Sequence, residues 1–115
     1  MRVLWLLEEI GVPYDIVSHQ RDAKTFMAPE SLKLVHPLGK SPVIEVDGQL
    51  LAESGAITEL LIERFASKRL RPAPDSKEYG EYLQWIHFAE SSLMVPMILE
   101  VFTRGSIKSD DMWLN

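Results

Sequence analysis

Cysteine is absent from the 115 residues of this chain. Its absence removes disulfides, a protein thiolate nucleophile, thiol–disulfide exchange by the protein itself and cysteine-bound zinc. A basic excess is also missing, because 12 Lys and Arg stand against 17 Asp and Glu, a net charge of −5. No nucleic-acid partner is expected, since no basic face exists to neutralise phosphates. No stretch reads as long and apolar enough to cross a bilayer, and the N-terminus lacks a signal-peptide layout. The expectation is therefore a cytoplasmic protein without a transmembrane segment. Histidine is scarce: His19, His36 and His87 stand far apart without metal-ligand spacing, so no metal is expected. Ser91 and Ser92 have no histidine and acid arranged around them as a hydrolase triad requires.

What remains is an ordinary globular balance, 46% hydrophobic and 25% charged, which excludes wholesale disorder. Met1 to Ile10 reads as a helix with Val3, Leu4, Leu7 and Ile10 on one stripe and Gly11 as its C-terminal cap. No capping residue precedes Arg2, so the helix has no visible start. Pro13 breaks it, and Tyr14 to Ser18 alternates as a strand does. A polar loop over His19 to Lys24 leads to a short helix opened by Pro29 and ending near Val35. His36-Pro37-Leu38-Gly39 then turns the chain.

Val43 to Val46 and Gln49 to Ala52 form a hairpin around Asp47-Gly48, a pair suited to the positive φ angles of a two-residue turn. A second helix is expected from about Ser54 to Ala66, burying Ile57, Leu60, Leu61 and Phe65 with Glu59 and Glu63 outward. Prolines 72 and 74 among charges mark 67–76 as a linker. Asp75, with Glu78 three residues on, then caps a long helix lined by Tyr82, Ile86, Ala89 and Leu93. Pro96 should kink or interrupt that helix and Gly105 should end it. Tyr82, Trp85 and Phe88 read as packing aromatics rather than a substrate box, and residues 106–115 take no assignment. The expected organisation is an α/β unit over 1–66, the linker, and the beginning of an all-helical unit over 77–115.

Two places carry chemistry. Lys40-Ser41-Pro42 lies at the mouth of a strand, where a cis X-Pro bond would offer the Ser41 backbone to an extended ligand; spacing alone favours the trans form. Lys40 beside it reads either as a solvated lysine or as a carboxylate partner. Ser54 stands where a helix begins, either as an ordinary N-cap or as a carboxylate site built from free N–H groups and the helix dipole. Glu53 tips the second reading toward a ligand carrying an ammonium group as well. The end of an α-amino acid has both charges.

Arg2 to Tyr14, His36 to Ile44 and Leu51 to Ile57 resemble the glutathione transferase family, its bacterial and fungal types especially, and Tyr82 to Glu90 resembles the start of that family's helical domain. The resemblance implies a thioredoxin-like N-terminal domain followed by an all-α domain. It implies a cis Pro42, Ser41 pairing through its backbone with the cysteinyl part of glutathione, Lys40 near the glycyl carboxylate, and Glu53 with Ser54 at the γ-glutamyl end. Glutathione is then the co-substrate. The implied reaction is attack of its thiolate on a small electrophile, a detoxifying transfer that needs no metal, in a full-length homodimer with the long helix near the interface.

The family begins with a β-strand and a loop carrying a Tyr, Ser or Cys that stabilises the thiolate, and by resemblance that position falls before Met1. A thioredoxin-like sheet without its first strand loses ladders on both sides. Five buried side chains at about 2 kcal/mol each amount to about 10 kcal/mol, against whole-domain stabilities of about 5–15 kcal/mol. The expectation is a chain that is part of a longer protein, or one that borrows a strand, and that is catalytically impaired alone. Two other functions share the pattern: a non-catalytic transferase-like scaffold, and a glutathione-dependent dehalogenase or isomerase. Retention of Lys40, Glu53 and Ser54 favours a glutathione site over the pure scaffold.

Overall fold

The computed structural model describes residues 2–20 and 28–107. The expected loop over His19 to Lys24 lies, beyond Gln20, outside the described residues, and so does the chain after Ile107. The elements in order are α1 (Arg2–Ile10), α2 (Glu30–Val35), β1 (Val43–Val46), β2 (Gln49–Ala52), α3 (Ser54–Phe65), α4 (Tyr79–Phe88), a π-helical turn (Ala89–Leu93) and α5 (Met94–Ile107). They fall into two units, Met1–Ala73 and Pro74–Asn115.

The first unit is built on α1 against α3. Val3 and Leu7 of α1 meet Ile57 and Leu61 of α3, and half-buried Leu6, Ile10, Val12, Tyr14, Ile44, Val46 and Leu51 close around them. The Gly11 N–H caps α1 by donating to the Leu7 carbonyl at 2.9 Å. In the hairpin, Ile44 pairs with Leu51 on the core side, while Glu45 pairs with Leu50 on the exposed side. Asp47 and Gly48 have φ of +53° and +75°, so both turn residues are left-handed, as a hairpin loop of two residues requires. Arg64 of α3 pairs with the Asp47 carboxylate and ties the turn to the helix.

Three expectations change here. Tyr14 to Ser18 is not a strand: among the described residues the sheet has two strands, β1 and β2, and 12–20 is unladdered. Alternation survives only in Val12 and Tyr14, which pack on the core, while Ile16 and Val17 are exposed. Period-two patterning makes a strand only where a neighbour supplies the ladder. In α3 the buried residues are Ile57, Leu61 and Ile62, whereas Phe65 is 47% exposed and Glu59 half-buried. The buried face is set by α1 on one side and the hairpin on the other, a rotation that a single stripe does not show.

Residues after α3 fold back on the first unit. Arg69 donates to Glu9 Oε1 at 2.9 Å and to the Glu9 carbonyl, satisfying an end of α1 that carries negative partial charge. Arg71 grips Glu63 with two bonds of 2.6 and 2.9 Å. These bonds lower the Glu63 pKa from its ordinary value, the hydrogen bond from Arg71 contributing most.

In the second unit the helix begins later and runs further than expected. Its N-cap is Glu78, with no side-chain capping bond, so Asp75 is not the cap and the residues before Tyr79 are turns. Pro96 does not interrupt it. The Met94 N–H bonds the Ala89 carbonyl five residues back, a π turn that resets the helix, and Pro96 then falls in the first turn of α5, where a missing N–H is tolerated. Gly105 lies inside α5 rather than beyond its end. The helix from Tyr79 to Arg104, 26 residues, is long and apolar enough by length and composition to cross a membrane, which corrects the expectation that no stretch of the sequence is. A helix of an all-helical domain passes the same measure.

Candidate functional site

The antiparallel register decides which chemistry-bearing residues meet. Val43 pairs with Ala52. Ser41-Pro42, just before β1, and Glu53-Ser54, just after β2, therefore share one end of the hairpin, opposite the Asp47-Gly48 turn. Lys40 lies one residue further out. Lys40, Ser41 and Glu53 are exposed, and Pro42 and Ser54 half-buried. The structure thus brings all five sequence-identified residues to one edge of the first unit.

Local chemistry builds each side of this edge. The Ser41–Pro42 bond is cis. Before it, Gly39 has φ of +56° and donates its N–H to the His36 carbonyl at 2.8 Å, closing the turn after α2. A Cβ at Gly39 would stand 2.8 Å from Lys33 Cγ, so glycine is required both by conformation and by space. This turn aims Lys40-Ser41 off the end of α2. Among the described residues, neither the N–H nor the C=O of Ser41 takes a backbone partner. An extended peptide laid along Ser41 would find both groups available.

On the other side, the N-cap of α3 is Glu53 rather than Ser54, and the Glu53 side chain makes no capping bond. Ser54 is the first helical residue. Glu53 holds φ of +73° and ψ of +112°, a conformation strained for any residue with a Cβ. The α3 N-terminus supplies the positive end of a 12-residue helix. Positive backbone charge and a carboxylate therefore stand on adjacent residues, the pattern an amino-acid zwitterion needs.

Sequence reasoning missed Arg2. Its Nη2 donates to Ser54 Oγ at 3.1 Å across 52 residues of chain, bringing a guanidinium to the start of α3. One signal was available: a cation in the first turn of α1 opposes that helix's own dipole. Tyr14, by contrast, is engaged elsewhere. Its hydroxyl donates to the Glu8 carboxylate, and that bond raises the Tyr14 pKa above the usual phenol value. The three histidines sit on separate segments, with His19 Nδ1 3.0 Å from Ser31 Oγ and His36 Nδ1 accepting from the Leu38 N–H at 3.3 Å.

Residues 1–64 match the family model of the glutathione S-transferase N-terminal domain. Glutathione S-transferase 1 of Saccharomyces cerevisiae is 34% identical, over 96% of this chain and 49% of its own length. Glutathione S-transferase 3 of Schizosaccharomyces pombe is 39% identical, over 81% of this chain and 38% of its own length. Among solved structures, a glutathione S-transferase from Actinobacillus pleuropneumoniae superposes with a TM-score of 0.77 at 34% identity, covering 90% of this chain and 48% of that one. The chain thus spans about half the length, or less, of the relatives it matches.

Proposed function

Because this chain belongs to the glutathione S-transferase family, we propose that its first unit binds glutathione across the shared end of the hairpin, and that the whole protein transfers the glutathione thiolate to a small electrophile. Ser41 pairs through its backbone with the cysteinyl residue, Lys40 attracts the glycyl carboxylate, and the γ-glutamyl end lies between Glu53 and the α3 N-terminus at Ser54. A thiol is mostly protonated at neutral pH, so the reaction begins with loss of that proton. The thiolate sulfur then bonds to an electrophilic carbon, either displacing a leaving group that departs with its bonding pair or adding to a double bond whose displaced electron pair is then protonated, and a thioether results. What this chain contributes is orientation: two charged ends and one backbone ladder hold the tripeptide so that its sulfur points one way.

The register that sets Ser41-Pro42 beside Glu53-Ser54 supports this reading, because it brings the residues proposed for the three subsites to one end of the hairpin. Glutathione titrated into the chain and followed by two-dimensional amide NMR tests it. Shifts confined to Lys40, Ser41, Glu53, Ser54 and their neighbours are expected. A dispersed spectrum that ignores millimolar glutathione, or that shifts elsewhere, would overturn it.

A further inference from the structure

We propose that His36 is a positioning residue for Lys40 and Ser41, acting through the turn that it holds with both its backbone and its ring; this rests on the glutathione reading above. The segment from His36 to Gly39 separates α2 from Lys40. The His36 N–H donates to the Leu32 carbonyl at 3.1 Å and closes α2. Pro37 has no N–H to give. The Leu38 N–H donates to His36 Nδ1 at 3.3 Å, and the Gly39 N–H to the His36 carbonyl at 2.8 Å. Each N–H between α2 and Lys40 therefore bonds either to α2 or to His36 itself. Pro37 and Leu38 are exposed, so neither side chain pins the turn into the core.

The ring bond fixes a tautomer. A backbone N–H only donates, so Nδ1 accepts and the ring proton stands on Nε2. The arrangement is that of an Asx turn, in which a side-chain acceptor takes the N–H two residues on. Here an imidazole nitrogen occupies the place of an Asn or Asp oxygen. Its consequence for binding is preorganisation. Ser41 lies along a peptide only when the chain leaves α2 in the direction that the turn sets. Without the ring bond the segment spends part of its time in other directions, and affinity falls by the fraction of molecules left in the competent one. The other side of the site is held separately: Glu53 and Ser54 follow β2, and among the described residues His36 bonds to neither.

The test uses two variants of the whole chain, with glutathione as the probe. His36→Asn keeps an acceptor in the position of Nδ1, whereas His36→Phe keeps a ring and removes the acceptor. His36→Phe is expected to weaken glutathione about two- to tenfold, the net worth of one hydrogen bond, and to speed exchange of the Leu38 amide hydrogen. His36→Asn should keep both within about twofold of the native chain, because its oxygen makes the same turn. On binding to His36→Phe, amide shifts should persist at Glu53 and Ser54 and shrink at Lys40 and Ser41. Long-range proton–nitrogen NMR of the native chain should show a bare Nδ1 and a protonated Nε2 in His36. Equal losses from both variants, no loss from His36→Phe, or a proton on Nδ1 overturn the role of His36 while the glutathione site stands. No binding of glutathione by the unaltered chain overturns the site itself, and this inference with it. Amide dispersion shows whether each variant folds. Should His36→Phe fail to fold, the native chain decides: a bare Nδ1 with a protected Leu38 amide supports the role, and an unprotected Leu38 amide overturns it.

Discussion

The two units are similarly rich in apolar residues and use them differently. In the first, α1, α3 and the hairpin enclose Val3, Leu7, Ile57 and Leu61, and Ile57 has no exposed surface at all. In the second, no described residue is buried: Val101 is 69% exposed and Phe102 70%. The cause is geometrical. A helix buries one face only against another element, and among the described residues α4, the π turn and α5 continue one another rather than pack side by side. Two helices and a hairpin packed against one another make a core where one long element does not. The binding residues sit with the enclosed core, so the edge holding Lys40, Ser41, Glu53 and Ser54 is anchored by packing and not by composition.

That contrast is most exposed to failure at Ile57. Truncating a fully buried isoleucine removes its transfer energy and leaves a cavity, so Ile57→Ala should cost about 2–5 kcal/mol in denaturant unfolding. A loss below 1 kcal/mol would mean that α1 and α3 are not packed as described. Gly39→Ala comes next. Forcing a Cβ into left-handed backbone should cost about 1–2 kcal/mol, before Lys33 moves aside from a 2.8 Å approach. Its amide shifts should concentrate at Lys40 and Ser41, and glutathione affinity should fall with stability. Unchanged affinity would separate the turn from the site.

Most of what was legible in the sequence is local. Asp47-Gly48 states its own turn, and Glu53-Ser54 stands at a visible junction of strand and helix. The parts that stayed hidden depend on partners remote in the chain. The alternation from Tyr14 is real, yet a strand is a property of a pair, and the residues beside it form no ladder. Arg2 meets Ser54 only because α1 lies against α3. The positive φ of Glu53 is imposed by the turn from β2 into α3, not by any glutamate preference. Pro96 misled for a different reason. Its effect depends on whether the preceding turn is α or π, a difference of one hydrogen bond that side-chain types do not report.

The second unit offers the complementary measurement. Phe102→Ala should change stability by no more than about 0.5 kcal/mol, as for substitutions on an open surface. A cost approaching that of Ile57→Ala would mean that the face is covered in solution, and the contrast between the units would then be one of partners rather than of packing.

The smallest expected effect sharpens where the first unit ends. Arg71, 12% exposed at its side chain, holds Glu63 and so keeps the segment after α3 on the first unit. The folded state lowers the Glu63 pKa, chiefly through the Arg71 hydrogen bond. The folded protein therefore releases the Glu63 proton more readily than the unfolded chain. Where the two states differ, the unfolded chain binds more protons, and stability rises with pH. The contribution is present above the ordinary glutamate range and is lost as pH falls through the depressed folded value. On the acid side, amide exchange at Ser67 to Arg71 should accelerate before exchange in α1 and α3. Glu63→Gln should abolish that early, pH-dependent step and leave the later one. If the segment instead opens together with α1 and α3, the first unit is held as one body through Arg71, and its boundary is set by packing rather than by this ion pair.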